Sequence, residues 1–360
     1  FFFPLVLGTF FQQIYNTADT VVVGRFVGTE ALAAVGGSTS QIINLIVGFF
    51  TGLASGATVV ISQHYGAKQE DGVQKALHTA YAFSVVGGII ISIMGILITR
   101  PLLKLMNTPD NIIDLSATYL CIYFAGLVFV FIYNVGAGIL RAVGDSRRPL
   151  YFLILCCFIN IVLDIILIVF LKMGVAGAAI ATTFSQGISA VMVTVTLCRT
   201  TDIFRLRVKK IRFHAQPMGM IVKIGLPAGL QSVMYSLSNV IIQSSLNTFG
   251  TETVAAWTAF SKIDAIYWMI SGAFGIAITT FVGQNYGAGK FGRMKKSVRV
   301  CLAMDIGASI LISAVLFFLG GYVFQLFTGD AQVIEIGVNI LRRMAPAYFC
   351  FTFIEIFAGS

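Results

Sequence analysis

Two aspartates lie inside long apolar stretches of the chain, where an ionisable side chain is unexpected. Tyr15 precedes Asp19 by four residues, and Asn160 precedes Asp164 by the same spacing. In a helix, residues four apart share a face, so each carboxylate has a polar neighbour on its own helix. A charged group at the centre of a membrane helix costs about 3 kcal/mol or more. The two aspartates are therefore the first candidates for a functional site.

The two carboxylates are predicted to lie at similar depth. Asp19 is about 15 residues, or 22 Å of helix, beyond Pro4, and Asp164 is about 14 residues, or 21 Å, beyond Leu150. Thr182, on the next predicted helix, which runs back across the membrane, reaches the same depth as the two carboxylates. Carboxylate, amide, phenol and hydroxyl groups together suit a proton or Na⁺, and Asp19 and Asp164 would be the metal ligands if the ion is Na⁺. The alternative is a carboxylate that caps a helix end or faces outer water, above all for Asp19.

The composition of the chain indicates which type of secondary structure carries these side chains. Of the 360 residues 57% are hydrophobic and 11% charged, against about a quarter charged in ordinary globular domains. This excludes a soluble fold, a disordered chain and a disulfide-stapled secreted module. The six cysteines lie in or beside apolar stretches without a C-x-x-C pair, which favours packing roles. The apolar runs are too long for barrel strands, so an all-α integral membrane bundle is predicted.

Segments of about 20 apolar residues indicate ten membrane helices. They are predicted near residues 1–24, 37–62, 76–99, 115–140, 150–171, 174–199, 218–248, 254–282, 298–320 and 333–358.

Positive charge alternates along the connections between these helices. The odd-numbered connections hold only Arg25, Arg100, Lys104 and Lys172, whereas most of the 24 Lys and Arg residues occupy the even-numbered ones. Because Lys and Arg are retained on the cytoplasmic side, we expect a multi-pass cell-membrane protein with a cytoplasmic N-terminus. The net charge of +9 then reflects membrane anchoring, and no nucleic-acid partner is expected.

Short motifs recur about 221 residues apart, which indicates a repeat of six helices. Because six is even, both copies have the same orientation in the membrane. The predicted lobes are residues 1–199 and 218–360, and the second stops after its fourth helix, so we expect ten of about twelve helices. The matched segments are residues 63–67 with 284–288, 28–30 with 250–252, and 137–138 with 358–359.

The predicted lobes are joined by a basic cytoplasmic linker, residues 200–217. Its positive charges either bind anionic lipid headgroups or serve only as the positive-inside anchor. Membrane lipids are thus expected partners.

Other charged residues in the second lobe are weaker candidates. Lys262 and Asp264 are two residues apart and do not share a helical face, so a mutual salt bridge is not expected. Asp305 is expected near the membrane interface. Glu355 is the repeat equivalent of Asn134, and this pair either lines a cavity between the lobes or has a packing role.

Several segments together resemble one transporter family. They are residues 15–20 with Gly24, the paired Gln-x-Tyr-Gly-Ala motifs, residues 140–146 and residues 160–164. In this order and at this repeat spacing, over essentially the whole chain, the sequence is similar to the multidrug and toxic compound extrusion (MATE) transporters.

The resemblance implies twelve helices in two six-helix lobes and no enzymatic activity. It implies export of organic cations or amphipathic drugs by alternating access, in exchange for H⁺ or Na⁺, by a monomer without a bound cofactor. Related members bind the coupling ion in the first lobe, at positions that correspond here to Tyr15, Asp19, Asn160, Asp164 and Thr182. Other members use acidic residues on helices 7 and 10, where this chain carries Ser236 and Phe351.

Three alternatives remain open at this point. A lipid-linked oligosaccharide flippase of the same superfamily would share the bundle and the repeat. A membrane enzyme is disfavoured because no nucleophile elbow or metal-binding motif is present, and His64, His78 and His214 have no ligand partner at useful spacing. A passive channel would not require paired buried carboxylates.

Overall fold

The structure is a computed structural model that describes residues 1–246, 249, 251–325 and 330–360. Within these residues the chain is helical and contains no strand. The α-helices are α1 (Phe2–Phe26), α2 (Thr29–Gly36), α3 (Ser38–Gly66), α4 (Glu70–Leu105), α5 (Asp110–Ala125), α6 (Leu127–Ala142), α7 (Arg147–Asp164), α8 (Gly174–Arg199), α9 (Ala215–Leu246), α10 (Thr251–Gly287), α11 (Phe291–Gln325), α12 (Ala331–Met344) and α13 (Tyr348–Gly359). The all-α fold class is confirmed. Helices suit long apolar runs because they satisfy every backbone polar group within one segment.

Seven helices of the described part are long and apolar enough to cross a membrane, or eight if the bent pair α5 and α6 is one span. Ten spans were predicted, so the predicted count is too high by this criterion. The first predicted span, α1, carries Gln12, Gln13, Asn16 and Asp19 and does not meet the criterion. The last predicted span is interrupted. Its first part, α12, is a short helix with Arg342 and Arg343 in its final turn.

Two predicted spans are broken helices. The span predicted at 115–140 consists of α5 and α6, which meet at Gly126 with a bend of 47°. A Cβ at Gly126 would lie 2.2 Å from Cγ2 of Thr183 on α8, so only glycine fits this crossing. The span predicted at 333–358 consists of α12 and α13, separated by a 3₁₀ turn over Ala345–Ala347. Pro346 lies in that turn, where its missing N–H interrupts the helix.

The internal repeat reappears in the helix boundaries. Helices α4, α5 and α6 begin at Glu70, Asp110 and Leu127, and helices α11, α12 and α13 begin 221 residues after each of them. The two copies of the repeat differ at one point. In the first copy Gly37 separates α2 from α3, whereas in the second copy α10 continues through the equivalent position without a break. Of the predicted repeat motifs, Gly250 lies outside the described residues, as do residues 247 and 248 of the seventh predicted span.

The chain divides into two compact units. The first contains Phe1 and Leu7–Ser236, and the second contains Phe2–Val6 and Leu237–Ser360. The division falls within α9, and the basic linker belongs to the first unit.

In the first unit, the backbones of α3 and α9 are in direct contact where the two helices cross. A Cβ at Gly52 would lie 2.4 Å from the backbone N of Gly229, and one at Gly56 would lie 2.4 Å from the carbonyl oxygen of Ile221. Small residues at such a crossing let two helix backbones approach closely. This contact fixes the start of α9 against the helices of the first unit.

The second unit has its own aromatic core. The rings of Tyr267 and Tyr348 stack with centroids 4.1 Å apart, and the Tyr267 hydroxyl donates to the Tyr348 carbonyl at 2.8 Å. Phe324 and Leu341 are fully buried in the same cluster. These contacts hold α10, α11, α12 and α13 together.

Candidate functional site

Asp19 lies on α1 and faces two other helices of the first unit. Its side chain is buried, and its Oδ2 accepts a hydrogen bond of 3.2 Å from the Oγ1 of Thr182 on α8. The other oxygen, Oδ1, has no hydrogen-bond partner among the described residues. Asp19 and Thr182, which were predicted to lie at the same level, thus contact each other across two helices.

Asn160 and Asp164 on α7 complete the arrangement. Both are fully buried, and both lie close enough to interact with the Asp19 carboxylate. Neither oxygen of Asp164 and neither polar atom of the Asn160 amide has a hydrogen-bond partner in the described part of the chain. A buried polar group without a partner costs about 1–3 kcal/mol. Five such atoms around Asp19 and Asp164 are a strong reason to expect a ligand.

A local change of helix geometry follows Asp164 directly. Helix α7 ends at this residue, and Ile165–Phe170 form a π-helical segment. The wider turn changes the register between the residues before and after it, and π-helical turns are often found at functional sites. The apolar sequence of the segment contains no signal that would predict this.

Tyrosines surround the carboxylates. Tyr15 is buried and interacts with both Asp19 and Thr182. Tyr119 and Tyr123 on α5 also interact electrostatically with Asp19, and their rings are stacked at 6.3 Å. The sequence analysis did not include these two residues. Their spacing of four, on a helix that packs against α8, is the signal that would have found them.

The five predicted site residues thus lie together, at a convergence of α1, α5, α7 and α8. The cluster offers four unpartnered carboxylate and amide oxygens next to hydroxyl groups. Oxygen atoms of this kind are the ligands of hard cations, and two neighbouring carboxylates can also share one proton. Groups of this chemistry suit H⁺ or Na⁺, so the cluster is a candidate ion site. In the described residues, no group of three or more His, Cys, Asp or Glu side chains forms a metal site.

Asn134 and Glu355 were predicted either to line a cavity or to have a packing role. Asn134 lines a small cavity inside the first unit, together with Phe50, Phe131 and Ser84. Glu355 packs in the second unit, where a Cβ at Gly275 would lie 2.3 Å from its Oε1.

Asp305, expected near the membrane interface, is buried against its own unit. It is only 1% exposed, and its Oδ2 accepts a hydrogen bond of 3.1 Å from Ser271. Asp264 is also stabilised by neutral donors, Tyr348 at 2.7 Å and Trp268 at 2.8 Å, and not by Lys262.

The fold and this cluster define a class of protein: a helical, multi-span membrane protein with buried carboxylates in its first unit. The family follows from comparison with known proteins. The MatE family model matches residues 4–166 and 227–360, and the chain belongs to this family. Its members are transporters and not enzymes.

Named relatives cover the chain almost completely. It is 29% identical over 369 residues to the probable multidrug resistance protein YoeA of Bacillus subtilis, covering 100% of this chain and 79% of the relative. It is 24% identical over 347 residues to the multidrug export protein MepA of Staphylococcus aureus, covering 95% and 75%. Among solved structures, an outward-facing multidrug resistance MATE family transporter of the MOP superfamily matches with a TM-score of 0.91 and 25% identity, over 99% of this chain and 80% of that one.

Proposed function

We propose that the protein is a cation-coupled antiporter that exports organic cations or amphipathic drugs. The observation that carries the proposal is the buried cluster of Asp19, Asp164, Asn160 and Thr182, with five polar atoms that lack a hydrogen-bond partner in the part of the chain that the structure describes. Membership of the MatE family and relatives named for multidrug resistance and multidrug export support the drug substrate. The flippase interpretation has no comparable support from named relatives.

The mechanism is alternating access driven by ion binding. In the outward-facing state H⁺ or Na⁺ enters the cluster and neutralises the negative charge between α1, α7 and α8. A neutralised cluster favours a different packing of α1, because the repulsion between Asp19 and Asp164 is relieved. The ion and the drug then need only opposite preferences for the two states, since a coupling free energy is reciprocal.

The test is efflux of a cationic dye from vesicles that contain the purified protein. An imposed pH gradient and an imposed Na⁺ gradient are applied separately, and dye movement is followed by fluorescence. We expect export that follows one of the two gradients. Movement of the dye only down its own gradient, with no response to either ion, would contradict coupling and favour a passive channel.

A matched pair of variants ties coupling to the cluster. Asp19→Asn removes the charge but keeps the shape, so we expect loss of gradient-driven export with normal expression. Asp114→Asn makes the same exchange at an exposed acid that pairs with Arg100, and we expect export to continue. Undiminished export by Asp19→Asn would refute the assignment of the site.

A further inference from the structure

A second feature of the first unit lies at the end predicted to face the cytoplasm. A cavity of about 560 Å³ opens between the start of α4 and the linker that precedes α9. It is lined by Glu70, Asp71, Gln74, Lys75, His78, Arg207, Lys209, Lys210, Arg212 and His214. This cavity is remote in sequence from the cluster at Asp19 and has no part in the proposed transport mechanism.

The first wall of the cavity is fixed by hydrogen bonds from α4 to the linker. The Gln74 side chain donates from Nε2 to the carbonyl oxygens of Ile203 at 2.5 Å and Arg205 at 3.2 Å. The backbone N–H of Arg207 donates to Nε2 of His78 at 3.1 Å. The other ring nitrogen of His78 then carries its proton and donates to the Gln74 carbonyl at 2.7 Å. The linker is therefore held in one conformation.

The second wall depends on His214. Its backbone N–H donates to Thr79 Oγ1 at 3.1 Å, and Arg212 donates from Nε to His214 Nε2 at 3.1 Å. With Nε2 as acceptor, Nδ1 carries the proton and donates to the same Thr79 oxygen. Both histidines of the cavity are thus neutral in this network. The positive charge comes from the Lys and Arg side chains.

Charge in the cavity is only partly balanced, because its lining holds five Lys and Arg side chains against Glu70 and Asp71. Lys75 pairs with Asp71 at 2.6 Å, but within the described residues Arg207, Lys209, Lys210 and Arg212 form no salt bridge. These four cations converge on one concave, preformed surface. Like charges held close together repel one another, so an anion that binds between them is favoured.

We propose that this cavity is a binding site for a phosphate-bearing anion. Guanidinium groups bind phosphate oxygens in a bidentate manner and ammonium groups add compact positive charge. The source is either the headgroup of an anionic lipid in the cytoplasmic leaflet or a soluble phosphate compound. The proposal does not depend on the coupling ion or on the exported substrate.

The test compares two triple variants of equal charge. The cavity variant is Lys209→Gln, Lys210→Gln and Arg212→Gln, and the control is Lys295→Gln, Lys296→Gln and Arg293→Gln, three exposed cations at the start of α11. The first probe is pyrophosphate, titrated calorimetrically into detergent-purified protein. The second probe is phosphatidylglycerol, measured as enrichment around the protein in mixed vesicles with phosphatidylcholine.

We expect wild type and control to bind one probe and the cavity variant to bind it roughly tenfold or more weakly, because three charged hydrogen-bond donors are lost. Binding of pyrophosphate identifies a soluble ligand, and enrichment of phosphatidylglycerol without pyrophosphate binding identifies a lipid headgroup. Equal losses in both variants, or no binding of either probe by wild type, would overturn the proposal. If the triple variant misfolds, the pair Lys209→Gln and Lys210→Gln, which retains Arg212, gives the same comparison.

Discussion

At the scale of single residues, the proposed function rests on buried polar atoms that have no hydrogen-bond partner among the described residues. Asp19, Asn160 and Asp164 retain unpartnered atoms in the interior, while buried Asp305 receives a hydrogen bond from Ser271 at one oxygen and Asp264 from Trp268 and Tyr348 at both. A carboxylate with donors at both oxygens has less need of an ion. This difference separates Asp19 and Asp164 from Asp264, whereas Asp305 resembles Asp19 in keeping one oxygen, Oδ1, without a hydrogen-bond partner among the described residues.

Thr182→Val tests the contribution of the hydroxyl at the ion site. The change keeps the shape of the side chain and removes the hydrogen bond to Asp19. We expect the ion concentration for half-maximal export to change by roughly tenfold, because a hydrogen bond to a charged group contributes about 1.5–3 kcal/mol. The measurement is dye efflux as a function of ion concentration.

The direction of that change distinguishes the ions. For Na⁺ an oxygen ligand is lost, so more Na⁺ is required. For H⁺ the ionised carboxylate is less stabilised, so fewer protons suffice. The control is Thr183→Val, at the next position of the same helix. Equal responses of the two variants would contradict a role for Thr182.

His214 predicts a pH response of the linker. Burial and the nearby positive charges of Arg212 and Lys75 lower the pKa of His214 below its usual range, while Asp71 opposes them weakly. Because the pKa is lower in the folded state, the neutral ring stabilises the fold above the unfolded pKa and this contribution is lost as pH falls through the folded pKa. The protonated ring also no longer accepts from Arg212.

We therefore expect the amides of residues 207–214 to lose protection from hydrogen exchange as the pH falls below about 6.5, the usual pKa of histidine, after correction for intrinsic rates. His214→Gln should abolish this pH dependence. Protection that stays constant in wild type over the same range would contradict the role of His214 in holding the linker.

At the scale of elements, the close crossing of α3 and α9 fixes the position of the first turns of α9. The small size of Gly52 and Gly56 permits a close approach, but the partner helix and its own glycines, Gly225 and Gly229, came only from the structure. Glycines indicate that a close approach is possible, whereas the approach itself is decided by both surfaces. The breaks at Gly126 and Pro346 also needed the structure, because isolated glycine and proline are tolerated inside membrane helices.

Gly52→Ala tests this crossing. The new methyl group would lie 2.4 Å from the Gly229 nitrogen, so the backbones must separate. We expect a loss of roughly 1–3 kcal/mol in the free energy of unfolding, the usual cost of overpacking. The measurement is the thermal unfolding midpoint in detergent. Gly219→Ala on α9, where nothing lies within 4 Å of the new Cβ, is the control, and an equal midpoint for both variants would contradict the argument.

At the scale of the whole molecule, the uneven distribution of Lys and Arg predicts the orientation in the membrane. The linker and the start of α11 carry exposed cations, whereas the odd-numbered connections carry few. The N-terminus and the linker are accordingly predicted to be cytoplasmic.

Single cysteines test this orientation. In a background without the six native cysteines, Lys210→Cys should react with a membrane-impermeant maleimide only when the cytoplasmic side is accessible. Lys104→Cys, in an odd-numbered connection, should react from outside in intact cells. The opposite pattern of labelling would show that the predicted orientation is wrong.

From the sequence alone we predicted a membrane protein, its all-helical class, an internal repeat and five residues of the candidate site. These features depend on local quantities: the length of apolar runs, the spacing of charges and the cost of an acid in hydrocarbon. The tertiary structure decided what depends on several helices at once. It placed Tyr119 and Tyr123 beside Asp19, buried Asp305, and joined Arg207, Arg212 and two histidines around one cavity. Such groupings depend on how distant helix faces pack, which no local pattern specifies.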